Sequence, residues 1–79
     1  MNELTLYYKS TCPYCAKVLN FMRQNKIELS LKNTAESPVI KQELLEVGGK
    51  PQVPCLVIDG KAKYESDDII VWMKDNLLR

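Results

Sequence analysis

The chain has 79 residues, enough for one domain and too few for several independent cores. Hydrophobic residues make up 46% and charged residues 27%, which excludes the weakly hydrophobic, highly charged regime of disorder. Eleven basic against 10 acidic residues leave a net charge of +1, so no broad field draws the chain to nucleic acid or an anionic membrane. With no histidine and only three cysteines, Cys-His and Ser-His catalysis are excluded, a zinc site lacks ligands, and no metal is expected. The stretch from Met1 to Lys9 holds no apolar run of signal-peptide length, and no later stretch approaches the ~20 apolar residues of a membrane span. A cytosolic location is the expectation.

Leu4, Leu6 and Tyr8 alternate with Thr5 and Tyr7, which predicts a first strand over Glu3 to Tyr8. Thr11 or Cys12 followed by Pro13 predicts a helix start, because proline at the first helical position lacks only an N–H that has no partner there. That helix is expected to reach about Asn25, with Cys15, Val18, Leu19, Phe21 and Met22 on its inner face and Lys17, Asn20, Arg23 and Gln24 outside. Ile27, Leu29 and Leu31 alternate with polar residues and predict a second strand, parallel to the first through a right-handed crossover. Ser37-Pro38 repeats the helix-start pattern, Ile40, Leu44 and Val47 form the inner stripe, and Gly48-Gly49 closes that helix. Cys55 to Ile58 reads as a buried strand, Asp59-Gly60 as a hairpin turn and Lys61 to Tyr64 as the antiparallel return. Ser66-Asp67-Asp68 opens a last helix whose Ile69, Ile70, Trp72, Met73 and Leu77 face the core. The expected architecture is one α/β domain over residues 1–79, βαβαββα, a four-stranded mixed sheet flanked by three helices.

The chemistry concentrates at Cys12-Pro13-Tyr14-Cys15, two thiols flanking two residues at a strand-to-helix turn, the pattern of a redox pair. Cys12 falls at the helix N-terminus, where free backbone N–H groups and the helix dipole favour a thiolate. Cys15, one turn on, can attack a mixed disulfide formed at Cys12, so Cys12 is assigned as nucleophile and Cys15 as resolving thiol. Lys9 adds positive charge near Cys12 in the absence of any histidine. Val53-Pro54 can hold backbone near the cysteine turn for an extended substrate. Cys55, at the head of an apolar strand, reads as a small buried hydrophobe, and Trp72 as part of the core.

Taken together, Lys9, the Cys12–Cys15 quartet, Val53-Pro54, Asp59-Gly60 and Ser66-Asp67-Asp68-Ile69 resemble the motifs of a dithiol glutaredoxin, over nearly the whole chain. That resemblance implies a thioredoxin fold and reduction of protein disulfides and protein–glutathione mixed disulfides, with glutathione as electron source. It further implies that Lys9 and Tyr14 border the glutathione site, that Val53 and Pro54 meet the cysteinyl part, and that Ser66 and Asp67 hold the γ-glutamyl end. Two positions depart from the pattern: Gln52 stands where threonine usually precedes Val-Pro, and Tyr64-Glu65-Ser66 replaces a glycine-rich approach to the aspartates. Glu65-Ser66 is similar to the pair with which glutathione transferase N-terminal domains hold the γ-glutamyl group. The expected partners are glutathione and disulfide or glutathionylated proteins, with the chain monomeric. Two other classes stay open: a carrier of a 2Fe–2S cluster held by Cys12 and glutathione in a dimer, and a thioredoxin-like reductase that does not use glutathione.

Overall fold

The computed structural model describes residues 3–78, so Met1, Asn2 and Arg79 lie outside the described residues. Proline starts two of the helices and glycine ends one, giving β1 (Leu4–Tyr8), α1 (Pro13–Gln24), β2 (Ser30–Asn33), α2 (Pro38–Gly48), β3 (Cys55–Ile58), β4 (Lys61–Lys63) and α3 (Ser66–Leu77). The strands form one sheet in the order β2-β1-β3-β4. Strand β1 pairs with β2 in parallel, Leu6 beside Leu31, and with β3 antiparallel, Leu6 beside Leu56. Asp59 and Gly60, both at positive φ (50° and 84°), turn β3 into β4 as the Asp-Gly pair predicts. This is the thioredoxin fold.

The sheet is covered on both sides. On one face Leu6 and Leu56 meet Val18 and Met22 of α1 and Ile69 and Met73 of α3, with Trp72 packed against them. On the other, Tyr7, Cys55 and Val57 meet Leu44 of α2. Strict alternation along β1 describes a strand with one wet face, yet Tyr7 is buried here because α2 lies over it. The hydroxyl of Tyr7 donates to Glu43 of α2 (3.2 Å), and Lys32 of β2 donates to the same carboxylate (2.6 Å). Those two bonds tie α2 to the sheet.

Strand β2 starts later than its apolar alternation suggests. Ile27 and Leu29 pack against the core from the connection before it, while Leu31, in the ladder but at the sheet edge, stays 47% exposed. Alternating hydrophobicity reports burial, and burial here precedes strand pairing. Gly48 has a packing reason beyond closing α2: a Cβ on it would lie 1.9 Å from the hydroxyl of Tyr64. Gly49 takes the left-handed C-cap (φ 79°). Among the described residues no helix is long and apolar enough to cross a membrane.

Candidate functional site

The sheet order brings the start of α1, the loop before β3 and the start of α3 to one end of the molecule. Cys12 is the N-cap residue of α1, extended at φ −90° and ψ 120°, with Pro13 next and no side-chain oxygen capping the helix. Burial by itself would raise the Cys12 thiol, but the N–H of Cys15, the Cys15 thiol, the N–H of Tyr14 and the charge of Lys9 together hold it below the ordinary thiol value. Cys15, fully buried one turn on, is pushed up to about 11, mainly by desolvation and then by the neighbouring Cys12. Two thiols in one motif are thus driven apart by position: one is lowered and the other raised. All three cysteines are free thiols.

Cys12 Sγ lies 3.9 Å from the carbonyl oxygen of Val53, across the gap between α1 and the loop. The Val53–Pro54 bond is cis and Pro54 is buried. Beside this contact runs an open groove of about 620 Å³, lined by Tyr14 of α1, by Gln52, Val53 and Pro54, and by Glu65 to Asp68 at the head of α3. Tyr14, 65% exposed, forms one lip. Ser66 is the first helical residue of α3 and is buried, while Glu65 holds the N-cap position at φ 71° without capping the helix through its side chain.

Of the residues expected around the cysteines, Tyr14, Val53, Pro54, Glu65, Ser66 and Asp67 therefore share one groove. Lys9 does not line it: it is exposed, accepts the Cys12 N–H on its carbonyl (3.2 Å), and acts on both thiols by charge. Lys17 is exposed, as the helical pattern predicts, and also pairs with Asp67 of the groove, linking α1 to α3. Only the approach of α3 to α1 makes it a neighbour of the groove. Cys55 is the buried hydrophobe that its strand context predicts, and burial pushes its thiol up.

Comparison with known proteins is consistent with this geometry. The profile of the glutaredoxin family matches residues 4–63, which spans both cysteines, Val53-Pro54 and the hairpin. The chain belongs to the glutaredoxin family. It is 32% identical to Glutaredoxin-1 of Saccharomyces cerevisiae over 75 residues, covering 86% of this chain and 68% of that one. It is also 29% identical to Prostaglandin E synthase 2 of Danio rerio over 69 residues, or 87% of this chain but 18% of that protein. Among solved structures, glutathione transferase Omega 3C from Trametes versicolor superposes with a TM-score of 0.83 at 27% identity, over 98% of this chain and 34% of that one. The chain thus spans about a third or less of these two longer relatives.

Proposed function

We propose that this glutaredoxin-family chain is a glutathione-dependent thiol–disulfide oxidoreductase that reduces protein–glutathione mixed disulfides and protein disulfides. The observation that carries the reading is the split between the two thiols, with Cys12 lowered at the N-terminus of α1, in contact with the Val53 carbonyl of the groove's wall, and Cys15, buried one turn on, raised to about 11. On a mixed disulfide, the Cys12 thiolate attacks the glutathione sulfur, the S–S bond breaks, and the protein leaves as a thiolate that takes a proton from solvent. A second glutathione, as thiolate, then attacks the glutathione sulfur bound to Cys12. Oxidised glutathione forms, so the incoming glutathione is oxidised as the protein sulfur is reduced, and the Cys12 thiolate returns.

On a protein disulfide, Cys12 forms a mixed disulfide with the protein. Cys15 must then lose its proton and attack Cys12 Sγ, which releases the second protein thiol and leaves a Cys12–Cys15 disulfide for two glutathiones to reduce. The groove suits glutathione in its chemistry. The N-terminus of α3, with no side-chain cap, offers N–H donors to a carboxylate, and Glu65 and Asp67 offer acceptors to an ammonium group.

The test is turnover of a small glutathione mixed disulfide, coupled to glutathione reductase and NADPH, in the wild type and in Cys12→Ser and Cys15→Ser. Turnover that survives Cys15→Ser and vanishes in Cys12→Ser supports the assignment. Equal loss in both variants contradicts the roles, and a folded wild type without turnover contradicts the use of glutathione.

A further inference from the structure

The two positions at which the chain departs from the glutaredoxin pattern touch each other. Gln52 stands in the loop before β3 and Glu65 at the head of α3, 13 residues apart, and the Gln52 Nε2 donates to Glu65 Oε1 across the groove at 3.4 Å. Glu65 sits at φ 71°, where glycine is at ease and a residue with a Cβ is not. A non-glycine residue kept there points to a use for its side chain. The second carboxylate bearer of relevance, Asp67, is drawn toward the other wall by Lys17. The two acceptors at the mouth of α3 are therefore each held by a donor from a different element, one from the loop and one from α1.

We propose that Gln52 is a positioning residue for ligand recognition: its amide holds the Glu65 carboxylate in the groove, so that a ligand's ammonium group meets Glu65 as well as Asp67. The inference rests on the glutathione reading, since glutathione carries one free amino group, on its γ-glutamyl end. Threonine at position 52 has too short a side chain to span from the loop to residue 65 as the glutamine does. One amide N–H occupies one of the carboxylate's several acceptor positions and leaves the others for the ligand. Preorganisation of this kind acts on affinity by removing rotamer freedom from Glu65 before binding. The chemistry selected is a free amine: an N-acylated ligand has no ammonium to offer and gains nothing from a fixed Glu65.

The experiment is a double-mutant cycle on the full chain, with Kd measured calorimetrically for S-methylglutathione and for its N-acetylated form. Thermal melts verify that each variant is folded, which these exposed positions permit. Gln52→Ala is expected to weaken S-methylglutathione binding roughly threefold to tenfold, the worth of one ordinary hydrogen bond. The same substitution is expected to leave the N-acetylated ligand's Kd unmoved, and to add no loss in a Glu65→Ala background. Independent, additive losses, or equal weakening of both ligands, overturn the assignment of Gln52. A wild type that reduces mixed disulfides yet binds both ligands equally overturns the amine recognition and leaves the reductase reading standing. A wild type that binds S-methylglutathione without turnover overturns the reductase reading, while the cycle still decides Gln52. Absence of any binding overturns the assignment of Gln52, and absence of turnover with it overturns both.

Discussion

Helices α1 and α2 begin with the same device, an extended residue followed by proline, and then part company. At α2, the Ser37 hydroxyl accepts from the N–H of Val39 (3.1 Å), so the first turn is satisfied by its own chain. At α1 the same position holds Cys12, no oxygen caps the turn, and the N–H groups of Cys15 and Tyr14 act instead to lower the thiol. Helix α3, the other wall of the groove, likewise lacks a side-chain cap. The helix remote from the groove is finished for stability, and the two that border it leave donors free for an anion: a thiolate at α1 and, in our reading, a ligand carboxylate at α3.

The sharpest way to break this comparison is to give α1 the cap that α2 has. Cys12→Ser should abolish turnover of mixed disulfides and, at acid pH where the Cys12 thiol is protonated, raise stability by about 0.5–1 kcal/mol, because a hydroxyl at an extended N-cap accepts a first-turn N–H. The gain shrinks as pH rises and the wild-type thiolate takes those same N–H groups. Coupled turnover and denaturant unfolding of the same preparation check both halves, and a Cys12→Ser destabilised at acid pH would contradict the view that α1 is left uncapped at a cost. The next largest effect is in pH. One thiol of the pair should ionise below the ordinary thiol range and the second only near 11, since Cys12 is lowered and Cys15 raised. As pH rises the pair thus gains one negative charge early and the other late, and the two steps belong to the pair as a unit. Thiolate absorbance against pH, alongside alkylation with iodoacetamide, should show fast labelling of Cys12 alone at neutral pH; simultaneous labelling of both would sink the assignment. The smallest effect tests the control helix. Ser37→Ala should cost about 1 kcal/mol, roughly 4–8 °C in Tm, and leave the alkylation rate of Cys12 unchanged.

Much of this was legible along the chain. Proline and glycine punctuation located α1 and α2, the Asp59-Gly60 pair located the hairpin, and the order of elements gave a mixed four-stranded sheet with helices on its faces, while the strand order β2-β1-β3-β4 belongs to the structure. The cysteine motif was equally plain, because its spacing places both sulfurs within one helical turn. Periodicity misled in one place: it started β2 too early, since Ile27 and Leu29 are half-buried outside the ladder, whereas Lys17 is exposed as the helical pattern predicts and only its pairing with Asp67 was out of reach. Tyr7 was readable as one side of an alternating strand but not as the anchor of α2, because its partner Glu43 lies 36 residues away.

The sequence by itself determined what is local: where each helix begins, which residue can turn the chain, and which two thiols sit one turn apart. These follow from backbone sterics and helical geometry within a few residues. Tertiary structure alone decided which neighbours those groups acquire. It set Val53 opposite Cys12, tied Asp67 to Lys17, and brought Gln52 to Glu65. Those contacts come from packing α1 and α3 on one face of a sheet whose order is not the order of the chain, so no periodicity along the sequence encodes them.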